Sequence, residues 1–180
     1  MNYFIIFQDE RVFDAVEPVG ISRVLRKEML TEEHIDDIEE LHLQFPIKEK
    51  TKNEYVDFIQ KPIPLLSDKL KQIIEKYAPG LYVKPVVLVD RKRMRQALYW
   101  MMIPPCIDCL SERSEFHKDG TIKRLVIDET RAAFTPLFQI EGIMEKYIVI
   151  NLAVAESLLR RDFTGIRLAK VEKESVREEK

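Results

Sequence analysis

Apolar and polar positions along the chain follow two rhythms. The helical one is clearest in "SDKLKQIIEKYAPG", where Leu70, Ile73, Ile74 and Tyr77 recur at i, i+3, i+4 and i+7 and share one face. Ser67 stands where an N-cap is needed, and Pro79 and Gly80 supply the stop. A second helix is predicted over "TEEHIDDIEELHLQF". Thr31 would cap it, Glu32 and Glu33 would face the helix dipole in the first turn, and Ile35, Ile38 and Leu41 would form a narrow stripe. A third is predicted over "NLAVAESLLRR", capped by Asn151, with Leu152, Ala155 and Leu159 as its apolar face and Arg160 and Arg161 in its last turn.

The other rhythm is extended. The run Tyr3–Phe7 predicts a first strand. "LYVKPVVLVD" and "QALYWMMI" are rich in branched and aromatic residues and flank a basic turn, Arg91 to Arg95, which predicts a hairpin. Trp100 in its second arm is expected in the core, facing the helices. "TIKRLVID", "PLFQIEG", "KYIVI" and "TGIRLAKV" add short strands. Short strands in succession with few helices predict an α+β fold, a largely antiparallel sheet with two or three packed helices. Residues 1–171 are expected to form one domain. The end, residues 172–180, is almost wholly polar and is expected to fray, because it has little apolar surface to offset the entropy of ordering.

Composition narrows the function classes. The chain has 180 residues, 46% hydrophobic, enough for a core that needs no disulfide or metal. Its net charge of −2 gives no whole-protein field that would draw it to nucleic acid or a membrane. The apolar run at the start is too short for a signal peptide, and nothing approaches the roughly 20 apolar residues of a span. The expected compartment is the cytoplasm. The charge is uneven, however: residues 1–60 carry 14 acids against 7 bases, net −7.

That imbalance peaks between Glu28 and Glu40, which holds seven carboxylates, with no Lys or Arg until Lys48. A solvated helix face is one reading. The other is a partner-binding surface of Glu32, Glu33, Asp36, Asp37, Glu39 and Glu40 that steers a cationic protein. The basic turn Arg91, Lys92, Arg93 and Arg95 would be a phosphate-contacting tip in a nucleic-acid module, but it lacks interleaved aromatics and a recognition helix. The two cysteines, Cys106 and Cys109, are spaced C-x-x-C. A structural zinc site usually needs four ligands, and neither a second C-x-x-C nor a spaced histidine pair is present. A small metal- or thiol-dependent enzyme centred on Cys106, Asp108, Cys109, Glu112 and His117 is the alternative to a binding protein. No Gly-rich phosphate loop or nucleophile elbow appears, so no catalytic, cofactor-binding or metal-binding residue is assigned.

Several segments, taken together, resemble a known pattern. "IDCLSERSEF" carries Asp108, Cys109, Leu110, Ser111 and Ser114, and "YIVINLAVAESLLRRDFTGIRLAKV" carries Phe163, Thr164, Gly165 and Ile166. With "PIPLLSDKLKQIIEKY", "VKPVVLVD" and "PLFQIEG", this series resembles a bacterial family, formerly a domain of unknown function, of predicted immunity proteins from polymorphic toxin systems, the myxobacterial immunity protein type. The resemblance covers about Pro62 to Val171. It departs at Ser111, where the family often has Asp, and near Asn151, where it often has Ser. The resemblance implies a non-catalytic cytoplasmic protein that neutralises a cognate toxin by occluding it, without a cofactor. It makes residues 1–60 the variable, partner-specific part. It also makes the C-x-x-C pair incidental, with Cys109 in a strand-to-loop element.

Overall fold

The computed structural model describes residues 1–174. Within residues 1–171, the stretch expected as one domain, the chain gathers into two compact units. One comprises residues 7–103 and 161–167; the other comprises residues 1–6, 104–160 and the described residues from 168 onward. The fold is α+β, with sheets that are mainly antiparallel.

The chain opens with β1 (Tyr3–Gln8), then the single turn α1 (Ile21–Val24) and α2 (Ile35–Glu39), before β2 (Gln44–Pro46), β3 (Phe58–Ile59) and β4 (Leu65–Ser67). The helix α3 (Asp68–Tyr77) follows, and β5 (Tyr82–Asp90) and β6 (Arg95–Ile103) form the long hairpin. A five-stranded sheet runs β2-β5-β6-β4-β3, antiparallel except for the β2–β5 pair. Alternation fixes its faces. Val86, Leu88, Tyr99 and Met101 point into a core with Phe45, Leu65, Ile21, Leu25 and Ile38. The Ser67 hydroxyl accepts from the Leu70 N–H at 3.2 Å, so α3 starts where the cap places it. Leu70, Ile73 and Ile74 are buried, while Tyr77, fourth on the stripe, is exposed. Trp100 is half-buried against α3, its indole N–H donating to Asp68 at 3.0 Å with Lys71 Nζ 4.1 Å above the ring.

Residues 161–167 are built into this unit by Asp57. Its buried carboxylate accepts from the Ser67 hydroxyl at 2.6 Å and from the Thr164 N–H at 2.7 Å, and its own N–H donates to the Thr164 carbonyl at 2.9 Å. Gly165 comes next, with φ +73, and a Cβ there would lie 2.5 Å from Val56 Cβ. The "TG" of the resemblance is therefore an anchor: Thr164 ties down the segment and Gly165 lets it approach.

The second unit contains β7 (Cys106–Ile107), β8 (Glu115–Phe116), β9 (Ile122–Arg124), β10 (Val126–Asp128), β11 (Leu137–Ile140), β12 (Ile148–Asn151), α4 (Leu152–Leu159), β13 (Ile166–Lys170), which enters it from the first unit, and β14 (Glu172–Glu174). Its sheet runs β13-β1-β12-β11-β7. β12 is buried on all four residues, and Tyr3 meets Phe138 edge-to-face at 5.8 Å. Asn151 caps α4 through Val154 N–H at 3.0 Å, but the face differs from expectation: Val154, Ala155 and Leu158 are buried, and Leu159 is exposed. The frayed end expected from residue 172 is also corrected in part. Glu172–Glu174 pairs in parallel with β10, and its side chains reach Arg124, Glu129 and Arg113 respectively. Hydrogen bonds and ion pairs order it in place of apolar burial. The rest of that expectation, residues 175–180, lies outside the described residues.

Candidate functional site

The acidic stretch does not form the long helix its sequence suggested. It is a 3-10 turn, Glu32–His34, leading into the five-residue α2. Thr31 does not cap a backbone N–H; its hydroxyl meets His34 Nδ1 at 2.8 Å. Ile38 is fully buried and Leu30, Ile35 and Leu41 pack against the same core, so the apolar residues hold the segment down. Its far end is tied to β5. The Tyr82 hydroxyl donates to the Glu39 carboxylate, and Lys84 Nζ donates to the Glu39 carbonyl at 2.8 Å. Burial, followed by the Glu39 carboxylate, pushes the Tyr82 phenol upward, so it keeps its proton and this hydrogen bond through neutral pH.

What this fixed backbone presents is negative charge. Glu32, Glu33, Asp36, Asp37, Glu39 and Glu40 are all exposed. Among the described residues, Glu32, Glu33, Asp36, Asp37 and Glu40 make no ion pair. Other carboxylates of the same unit are neutralised: Asp14 by Lys52, Glu17 by Lys50 and Lys48, and Asp90 by Arg93. Asp9 is held at about 2 by the Arg11 guanidinium beside it. The acidic segment is thus a preorganised patch with unspent charge.

The basic tip is partly consumed by the fold. Arg93 bridges Asp90 and the carbonyls of Lys50 and Thr51, and the Arg95 guanidinium lies 3.9 Å above the Tyr55 ring. Arg91 and Lys92 stay exposed beside Met94, which has φ 52.

The cysteine region holds no assembled centre. Cys106 is an exposed thiol on β7 and Cys109 a buried one, its pKa pushed up to about 12 by burial and then by the Asp108 carboxylate. Asp108 itself faces Arg131 at 3.5 Å, and Glu112 and His117 are exposed. Among the described residues, no group of three or more His, Cys, Asp and Glu side chains is placed to hold a metal ion. Ser111 and Ser114 do structural work instead. Ser111 hydrogen-bonds Glu174, and Ser114 exchanges hydrogen bonds with both backbone groups of Val126, at 2.9 and 3.0 Å.

Two features went unread in the sequence. Phe13 and Phe134 are 89% and 85% exposed, the latter at φ 61; each follows small or apolar residues in a loop, where no period marks which side chain turns outward. Lys27 and Lys61 share the lining of one cleft although 34 positions apart, a proximity only the tertiary fold creates.

Compared with models of known protein families and with curated proteins, the chain matches none. Among the described residues, no helix is long and apolar enough to cross a membrane.

Proposed function

We propose that the chain is a non-catalytic binding protein of the immunity type, which acts in the cytoplasm and neutralises a cognate toxin by covering its working surface. The observation that carries this reading is the fixed acidic segment, five of whose six carboxylates have no ion-pair or hydrogen-bond partner among the described residues while its backbone is anchored to core and strand. A surface already ordered before binding loses little conformational entropy when the partner arrives. Unpaired charge of one sign attracts a cationic partner at long range and raises the encounter rate at low salt. The sequence resemblance over Pro62 to Val171 implies the class of partner, a toxin domain, and the acidic segment calls for a positively charged face on it. Tight inhibition then needs an interface of about 800 Å² per partner and a few buried anchors, with no chemistry in this chain.

A thiol-dependent enzyme has no comparable support. A nucleophile needs a depressed pKa and access; of the two thiols Cys109 is buried with its pKa raised, which leaves Cys106 alone accessible.

The test is co-expression. Reading frames flanking the gene are expressed in a bacterial host, each alone and with this chain. One neighbour is expected to kill, and this chain to restore growth and co-purify with it. Failure of rescue while both proteins are soluble would overturn the proposal.

A further inference from the structure

A cleft of about 510 Å³ opens in the unit formed by residues 7–103 and 161–167, in the size range of small-molecule sites. Its lining draws on the end of β1, the loop before α1, α1, the turn at Lys27 and the chain after β3. The walls are apolar at Val16 and Ile59, both buried. The polar residues of the lining, Glu17 apart, can all donate: Lys27, Lys61, Ser22 and Gln8.

These donors are unspent. Among the described residues, the Lys27 and Lys61 ammonium groups and the Ser22 hydroxyl have no hydrogen-bond or ion-pair partner. Gln8 is oriented by a reciprocal pair: its side-chain oxygen accepts from the Gln60 N–H at 3.0 Å, and the Gln60 oxygen accepts from the Gln8 N–H at 3.0 Å. That bond fixes which end of the Gln8 amide is the oxygen and leaves its NH₂ as a donor. The one carboxylate in the lining, Glu17, is already neutralised by Lys50 at 2.6 Å and Lys48 at 3.6 Å, and Lys50 holds it below its usual range. The cleft is therefore a concave, donor-lined, net positive site on a chain whose net charge is −2. Concavity with low-dielectric walls concentrates such a field.

We propose that this cleft binds a small molecule carrying an oxyanion, phosphate or carboxylate, held between Lys27 and Lys61 with Ser22 and Gln8 as neutral donors. The lining shares no residue with the acidic surface, and the proposal does not depend on the toxin-binding reading. Two ammonium groups favour a doubly charged oxyanion, since each charge-assisted hydrogen bond adds more than a neutral one.

The test is titration calorimetry of the full chain with inorganic phosphate and, separately, with citrate, against sodium chloride of matched ionic strength. Saturable heat with either probe supports the site, and the better probe identifies the oxyanion. Lys27→Gln and Lys61→Gln, both at exposed positions, are each expected to weaken binding by at least about tenfold. Arg91→Gln, at the hairpin tip outside the cleft, is expected to leave it unchanged. Circular dichroism and melting temperature verify that all three variants fold. The proposal is overturned by any of three results: no saturable heat with either probe, undiminished binding in the Lys27→Gln, Lys61→Gln double variant, or an equal loss in Arg91→Gln.

Discussion

Replacing Gly165 by Ala adds one methyl group at the tightest backbone approach among the glycines. Two costs follow. The first is conformational: at φ +73 a Cβ crowds its own backbone, by about 1 kcal/mol. The second is a collision. The new Cβ would lie 2.5 Å from Val56 Cβ, 2.8 Å from Cγ1 and 3.2 Å from Cγ2, where carbon atoms normally sit about 3.5–4.0 Å apart. Val56 is fully buried, its Cβ moves only with its backbone, and its carbonyl accepts the Tyr99 hydroxyl at 2.8 Å. Overpacking of this kind costs about 1–3 kcal/mol. If the glycine side yields instead, Thr164 moves with it and its 2.7 Å hydrogen bond to the Asp57 carboxylate is weakened, at a further cost of about 1–2 kcal/mol. By either route the expected loss is about 2–4 kcal/mol, a large part of a typical domain's stability.

Gly20 isolates the second cost. Its φ is +85, yet nothing lies within 4 Å of its would-be Cβ, so Gly20→Ala should lose only about 1 kcal/mol. Trp100, the single tryptophan, lies in the same unit as both glycines, so its fluorescence during urea unfolding reports on the unit being perturbed. Equal shifts in the two variants would refute the collision and with it the role given to Thr164 and Gly165.

Other expectations follow from the same geometry. An aromatic disulfide reagent at pH 8 should titrate Cys106 rapidly and reach Cys109 only after denaturation; two fast thiols would contradict the burial of Cys109. The Cys109 thiol ionises near 9.0 when unfolded and about 12 when folded, so above pH 9 the unfolded chain releases its proton first. Its contribution is therefore intact below that pH and declines as pH rises toward about 12, by up to about 1.4 kcal/mol per pH unit. Cys109→Ala should flatten the alkaline fall in urea midpoint, and an unchanged slope would remove this group as its source. Asn151→Ala should cost about 1 kcal/mol for the lost cap on α4. Ser67→Ala should cost more, about 2 kcal/mol, because the same hydroxyl also donates to Asp57 at 2.6 Å; equal losses would deny the second role.

Elements whose signals are local were legible in the sequence. For α3, cap, stripe and stop all lie within 14 residues, and the β5–β6 hairpin carries its own turn. The acidic helix is shorter than its apolar stripe predicts because Leu41 does not belong with Ile35 and Ile38. Leu41, Leu43, Phe45 and Ile47 in fact alternate with period two, the signature of the β2 region that follows. The buried face of α4 differs from the predicted one because nearly every position is apolar, so periodicity alone selects no side. The strand β14 left no apolar trace; its ordering comes from Arg113, Arg124 and Glu129, more than 40 positions away. Of the candidate site, the charge of the acidic segment was evident, but its anchoring by Tyr82 and Lys84 was not, since those contacts are long-range.

The central claim is that this anchored acidic segment is the partner-binding surface. The most direct measurement is the dissociation constant for the toxin identified by rescue, with the wild-type chain and with Asp36, Asp37, Glu39 and Glu40 reversed to Lys. Asp36, Asp37 and Glu40 are exposed and unpaired among the described residues, so the variant should keep its fold; Glu39→Gln paired with the other three reversals preserves the Tyr82 contact as a check. The account predicts that both variants bind at least about a hundredfold more weakly, and that raising the salt weakens the wild type toward them. Unchanged affinity in a folded reversal variant would contradict it.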